Sequence, residues 1–96
     1  MIDEKLYSDL LNVYADNVKL FKEKVTGVVI RKVWPLTKED IEKALGTTEY
    51  VDHKYINQRY RSFTVNPQIT EMSVKPEATV VEISPDISWE REVNID

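Results

Sequence analysis

The first quarter of the chain has hydrophobic residues at the three- and four-residue spacing of an α-helix. Apolar side chains recur through "IDEKLYSDLLNVYADNVKLFKEKV", and Gly27 follows as a residue suited to a helix end. The pattern predicts a helix over residues 3–25, about 34 Å long at 1.5 Å per residue. Its apolar residues cover about half of the circumference, wider than the stripe of roughly 100° that packs on one surface. We therefore expect this helix to make contacts on two sides.

The next two elements are marked by β-branched residues and by capping signals. The segment "VVIRKVW" at residues 28–34 is β-branched and apolar and stops at Pro35, which predicts a strand. A helix is predicted over residues 38–45, because the segment has start and stop signals at both ends. These are an N-cap, the acid of a variant capping box, a hydrophobic staple and a terminal glycine, supplied by Thr37, Asp40, Leu36 with Ile41, and Gly46.

Prolines recur every nine residues in the C-terminal third, in "NPQITEMSV", "KPEATVVEI" and "SPDISWERE". Turn signals at this spacing are typical of short antiparallel strands, and a residue before proline favours extended backbone. We predict a β-meander with strands at residues 68–74, 78–84 and 87–93, the last an exposed edge because "SWEREV" is charged. For residues 48–65 we predict two strands around a turn near Asn57, with a helix over 49–58 as the alternative.

These elements predict a single α+β domain over residues 1–96, with both helices on one face of the sheet. A chain of 96 residues with 42% hydrophobic and 31% charged residues has the composition of a globular domain. We expect no membrane segment and a cytoplasmic location, because the N-terminal residues are acidic and no apolar run reaches 18 residues. The absence of cysteine excludes disulfides and thiolate chemistry.

The sequence has few residues suited to catalysis. Its two glycines are both assigned to helix ends, so a glycine-rich phosphate-binding loop is excluded. His53 is the only histidine and the only distinctive candidate for a catalytic base. Glu49 and Asp52 beside it do not form a convincing metal-ligand set. We expect neither a catalytic site nor a metal or cofactor.

The segment "HKYINQRYRSF" mixes aromatic and basic residues, as single-stranded nucleic-acid sites do. Strand alternation would place Tyr55, Arg59, Arg61 and Phe63 on one face, where rings could stack on bases and guanidinium groups could bind phosphates. Residues 49–65 carry a net charge of only +1, however, and such binding depends on clustered positive charge. We favour an ordinary sheet segment whose aromatic rings pack inward.

Two other surfaces could bind a protein. Residues 66–96 contain seven acidic and two basic residues, a net charge of −5, so an acidic sheet could meet a basic partner through Trp89, Glu90 and Glu92. In the first helix, Tyr7, Tyr14 and Phe21 repeat at seven residues and could form a helix-pairing seam with Asn17 setting its register. Packing of this face on the domain's own sheet is an equal alternative. Trp34 is expected in the core.

The function predicted from these features is that of a small, non-enzymatic protein-binding module, either an inhibitor or an adaptor. It would act through the first helix or through the acidic C-terminal sheet. Self-association through the first helix, as a homo-oligomeric assembly subunit, is the first alternative. Nucleic-acid binding through residues 53–63 is the second.

Overall fold

The computed structural model describes residues 2–46, 53, 54, 56 and 60–91, with the backbone alone at 60, 61 and 91. This part of the chain forms two helices and three strands, which confirms the predicted α+β class. In chain order the elements are α1 (Glu4–Lys24), β1 (Val28–Val33), α2 (Lys38–Leu45), β2 (Tyr60–Val74) and β3 (Thr79–Arg91).

Both helices begin at the capping residues that local chemistry favours. The carboxylate of Asp3 accepts a hydrogen bond from the Lys5 backbone N–H at the start of α1. The predicted capping box of α2 is present in full: the Thr37 hydroxyl accepts from the Asp40 N–H, and the Asp40 carboxylate accepts from the Thr37 N–H. Gly46 ends α2 with a φ of 73°, a left-handed conformation that glycine adopts without strain. The predicted bounds of α2 are confirmed.

The end of α1 differs slightly from the prediction. The helix is capped by Val25 in an extended conformation, and Gly27, with a φ of 79°, lies two residues further on, immediately before β1. Gly27 therefore turns the chain from the helix into the sheet and does not form the helix cap itself.

The three strands form one sheet in the order β1-β3-β2. β2 and β3 are an antiparallel hairpin, and β1 is parallel to β3, with Val28 opposite Thr79 and Val33 opposite Ile83. β3 lies between the other two strands only as far as Ile83, and its later residues pair with β2 alone. The described residues of the segment predicted as an edge therefore lie at a sheet edge, as expected. β1 and β3 are far apart in sequence, and their parallel pairing cannot be predicted from the local pattern of either segment.

The predicted turn near Pro85 is also wrong, and the strands predicted at 78–84 and 87–93 are one strand, β3. Likewise the strand predicted at 68–74 is the end of β2, which has 15 residues. Pro67 and Pro85 lie directly opposite each other inside the hairpin. Opposed residues of an antiparallel pair alternate between bonded and non-bonded positions, and two prolines fit only a non-bonded position. Their missing N–H groups then cost the ladder nothing.

Pro85 is also tolerated because β3 loses its second neighbour just before it. The last hydrogen bond from the β1 side joins the Trp34 N–H to the Ile83 carbonyl at 2.8 Å. The register of β1 with β3 ends at that residue. Beyond it β3 pairs with β2 alone, so the side of Pro85 that lacks a donor faces no strand among the described residues.

Part of the ambiguous segment is described, and it agrees with the helical alternative, so the prediction of a first strand is wrong at these residues. Residues 53, 54 and 56 are helical, as the helix over 49–58 predicts, and strand β2 begins at residue 60. Ile56 is buried in the main core. Asn57 and the turn predicted near it lie outside the described residues.

One hydrophobic core joins α1, α2 and the near end of the hairpin. Its members are buried, and they are Ile2, Leu6, Leu10, Tyr14, Val18, Leu36, Ile41, Leu45, Ile56 and Val65. Phe63 and Ile87 pack against it from the sheet. Because these residues share one face of the hairpin by register, both helices lie on that face, as predicted. No helix in the described part of the chain is long and apolar enough to cross a membrane.

The hairpin extends well beyond this core. The chain measures 56 × 24 × 20 Å, and its radius of gyration of 15.7 Å exceeds the roughly 12–13 Å of a compact chain of this length. We call residues 60–68 and 84–91 the proximal half of the hairpin, and residues 69–83 the distal half. α1 and α2 cover the proximal half, whereas β1 flanks the distal half on one side only.

Candidate functional site

The two tyrosines of α1 form hydrogen bonds within the domain. Tyr14 is buried, and its hydroxyl donates a 2.9 Å hydrogen bond to the Trp34 carbonyl. Tyr7 is half-buried and donates a bond of the same length to the Leu36 carbonyl. Burial, and secondarily the carboxylate of Asp40, raise the pKa of Tyr14, which keeps its hydroxyl a donor. The two rings thus hold the connection between β1 and α2 against the helix.

The side chain of Asn17 also makes hydrogen bonds within the chain. Its side-chain amide donates a 2.5 Å hydrogen bond to the Val65 carbonyl and a 3.2 Å bond to the Asn66 side chain. Val65 lies on β2 at a position whose carbonyl points to the open edge of the strand, so Asn17 covers that edge. Phe21 is half-buried beside it, and Leu20 is exposed.

Trp34 is half-exposed and lies outside the core, contrary to the expectation from sequence. The ammonium group of Lys32 stacks over its ring at 3.4 Å from the centroid. Such a cation–π contact accounts for a tryptophan that keeps one face in water.

The residues predicted for the acidic surface do not share a face. Trp89 lies on the helix-facing side of β3, where it lines a shallow depression with Asp40 and Lys43 of α2. Glu90, the next residue, points to the opposite face of the sheet because strand side chains alternate. Glu92 lies outside the described residues. The acids of β3 that do share a face are Glu82, Asp86 and Glu90, on the side away from the helices.

An ion-pair cluster neutralises part of that outer face. The guanidinium of Arg31 contacts the Glu82 carboxylate at 2.6 Å and the Glu71 carboxylate at 3.7 Å. All three side chains lie where β1 and β2 each carry a bulge opposite Glu82, an irregularity that brings both strands' side chains toward it. The hydrogen bond from Arg31, followed by one with Glu71, lowers the pKa of Glu82. The net charge of this cluster is −1.

Of the four residues suggested for nucleic-acid binding, Phe63 alone has a side chain among the described residues. Phe63 faces the helices and packs against the core. Arg61 lies at a bulge of β2, and its side chain is outside the described set, as are Tyr55 and Arg59. The inward packing of Phe63 agrees with the interpretation of an ordinary sheet segment.

His53 lies against α1, with its Nε2 atom 3.2 Å from a carboxylate oxygen of Asp9. Among the described residues no serine or threonine hydroxyl is hydrogen-bonded to this imidazole. The described residues also contain no group of three or more histidines and acids placed to hold a metal ion.

The most exposed apolar side chains of the hairpin form a stripe that sequence reasoning missed. Ile69, Met72 and Val74 are 45%, 62% and 75% exposed, yet they lie on the same face of β2 as the buried Val65. We call these three residues the apolar stripe. Their partners across the ladder include Val81 and Ile83, which are fully buried. The stripe is therefore the uncovered margin of a buried sheet face.

The apolar stripe begins where α1 ends. A groove of about 240 Å³ separates α1 from β2 and is lined in part by Leu20, Phe21 and Pro67. Pro67 lies two residues before Ile69 on the same face, and Leu20 is 52% exposed. The spacing of the stripe, three residues and then two, reflects the bulge at Thr70. This spacing hides the stripe from a search for strict alternation.

The edge of β2 along the apolar stripe is unpaired in the described sheet, where β3 is the strand's only partner. Exposed edges are usually protected by prolines, charges or a covering element. The proximal edge has two such protections, Pro67 and Asn17, whereas the distal edge has no covering side chain among the described residues and carries the charges of Glu71 and Lys75. The apolar stripe and its edge are therefore the candidate functional site.

No protein-family model, curated protein or solved structure matches this chain.

Proposed function

We propose that this protein is a small, non-enzymatic protein-binding module that binds its partner through the apolar stripe and the adjoining edge of β2. The observation that carries the proposal is the exposure of Ile69, Met72 and Val74 along one face of an unpaired strand. Exposed apolar surface of this kind marks interaction sites in soluble proteins.

An open edge strand supplies both parts of a recognition site. Its backbone N–H and C=O groups can pair with an added strand, and its alternate side chains select what that strand carries. The groove beside Leu20 and Pro67 continues the apolar surface toward α1. A partner strand lying on β2 would therefore meet apolar side chains along one face.

The site differs from the two surfaces suggested by sequence. The ring of Tyr14 is buried, and Tyr7 and Asn17 bond to the backbone of their own chain, so α1 contributes mainly Leu20. On the outer sheet face, Arg31 offsets part of the acidic charge. Both features favour the hairpin over the helix seam and the acidic sheet.

The proposal includes no catalytic step, and an inhibitor or adaptor role needs none. A cytoplasmic location remains a prediction. None of the described residues favours nucleic-acid binding, because Phe63, the one predicted stacking residue whose side chain is described, packs inward.

The test is site-specific photocrosslinking in the cells that make the protein. Met72 is replaced by the photoreactive residue p-benzoylphenylalanine, and Asp86, which is exposed on the outer face of the proximal half, is replaced in the same way as a control. The proposal predicts a discrete protein adduct from position 72 and none from position 86. Absence of an adduct at position 72, or equal adducts at both positions, would contradict it.

A further inference from the structure

We infer that the partner of the apolar stripe is a second copy of this chain, paired antiparallel through the distal edge of β2 about a two-fold axis at Ser73. The inference rests on the proposed protein-binding role and adds the identity of the partner and the register. Two observations support the inference. The backbone N–H and C=O groups of Met72 and Val74 point to the open edge of β2, and Glu71 and Lys75 place opposite charges at equal distances from Ser73.

The hairpin turn determines which residues face the open edge. The Lys75 N–H donates to the Ala78 carbonyl at 2.9 Å, so these two residues form a hydrogen-bonded pair that closes the hairpin. Bonded and non-bonded pairs alternate along an antiparallel ladder. The backbone N–H and C=O groups of Ser73, which lies opposite Val80, then point toward β3. Those of Met72 and Val74 point outward, to the open edge of β2.

A two-fold axis at Ser73 uses those outward groups. It places Met72 of each copy opposite Val74 of the other, so that each pair can exchange two backbone hydrogen bonds. The same pairs bring the exposed methionine and valine side chains together on the helix-facing side. Cross-strand apolar contacts of this kind stabilise a sheet.

The same axis pairs opposite charges. Glu71 of each copy lies opposite Lys75 of the other, at a non-bonded position where side chains approach most closely. Lys75 is exposed and forms no ion pair within the described residues, and the Glu71 side chain is 63% exposed. The strand thus carries its own complementary charges, four residues apart and symmetric about Ser73.

Neighbouring registers lack this complementarity. An axis at Met72 would set the bulged Thr70 opposite Val74 and leave Lys75 without an acid. An axis at Val74 would set Met72 opposite Pro76, which has no N–H, and Glu71 opposite Glu77. An axis between two residues would oppose an outward-pointing residue to an inward-pointing one, which breaks the ladder.

The proximal edge does not obstruct this arrangement. The paired segment spans residues 71–75, so the tip of the second hairpin, at Pro76 and Glu77, reaches only as far as Ile69. The stretch covered by Asn17, together with Pro67, lies beyond that point. A second copy can therefore add its hairpin without displacing α1, and the two sheets become one continuous sheet of six strands.

Charge reversal tests both the partner and the register. Lys75→Glu or Glu71→Lys places like charges opposite each other twice in the dimer, so each variant alone should dimerise roughly tenfold more weakly than the wild type. An equimolar mixture of the two variants should form a heterodimer, because every opposed pair is then oppositely charged. Asp16→Lys, on the exposed side of α1, is the control with the same charge change as Glu71→Lys and should leave dimerisation unchanged.

Sedimentation equilibrium at low salt is the measurement. The expected result is a wild-type dimer that forms as concentration rises to about 1 mM, with the mixed variants recovering it. A monomer throughout, or variants that dimerise like the wild type, would overturn the inference. If the chain is monomeric while position 72 crosslinks to a different protein, the protein-binding proposal stands and self-association does not. If neither occurs, both fail.

Discussion

The two halves of the β2–β3 hairpin are built from the same two strands and differ in how far the margin formed by β2 is exposed to solvent. In the proximal half, Val65 and Phe63 pack under α1 and α2, and the edge of β2 is closed by Asn17 and Pro67. In the distal half, Ile69 and Met72 continue the same face without a cover. The contrast indicates that the proximal half supplies stability, whereas the distal half leaves a surface available for binding.

The distal half is nevertheless ordered by contacts of its own. β1 pairs with β3 along residues 79–83, and Val81 and Ile83 are fully buried on that central strand. Arg31 ties β1 to Glu82 across the outer face. The apolar stripe is thus presented by a supported sheet margin, which lowers the conformational entropy lost on binding.

The sharpest way to break the comparison is to make the same substitution in the core that covers the proximal half and in the apolar stripe of the distal half. Ile41→Ala removes a fully buried side chain from α2 and should lower the free energy of unfolding by about 2–5 kcal/mol. Ile69→Ala, at a half-exposed position of the apolar stripe, should cost less than about 1 kcal/mol. Urea denaturation followed by circular dichroism measures both. Equal losses would show that the apolar stripe is part of the folding core.

A smaller effect is expected from opening the protected edge. Asn17→Ala removes the amide that bonds to the Val65 carbonyl and should lower the free energy of unfolding by about 1–2 kcal/mol. Asn12→Ala is the matched control, because Asn12 is exposed on the same helix and alanine favours helix. The same urea titration reports both variants. If the two asparagines prove equivalent, the edge closure by Asn17 contributes nothing to stability.

The parts that sequence predicted well depend on short-range chemistry. Helix α2 was located by Thr37, Asp40 and Gly46, whose effects act within one turn of the backbone. The long helix α1 followed from periodicity alone. In both cases the deciding interactions join residues close together in the chain, so the pattern carries the information needed.

The parts that sequence missed depend on register and on distant pairing. The sequence predicts a turn at Pro85, because its place inside β3 depends on Pro67 opposite it and on the end of β1 beside it, and neither is visible in the local pattern. The apolar stripe was missed because the bulge at Thr70 breaks strict alternation. Tyr14 has the heptad spacing of a pairing seam, but that spacing does not reveal that its hydroxyl bonds to the Trp34 carbonyl.

The smallest expected effect is a pH dependence confined to the distal half. Arg31 lowers the folded-state pKa of Glu82 below its ordinary value of 4.5, so the carboxylate contributes stability above that pH. This contribution should be lost as the pH falls through the lower folded-state pKa. We therefore expect the wild type to be more stable than Glu82→Gln at neutral pH, and the difference to shrink as the pH falls below 4.5 and through the lower folded-state pKa.

Glu77→Gln is the matched control for this titration, because Glu77 is exposed in the hairpin turn and forms no ion pair with a described residue. Its stability should follow that of the wild type across the same pH range. Thermal unfolding of the three proteins at each pH gives the comparison. A constant difference between the wild type and Glu82→Gln would mean that Arg31 does not stabilise the charged carboxylate. The order of the distal half would then come from the burial of Val81 and Ile83 and from the backbone pairing of β1 with β3.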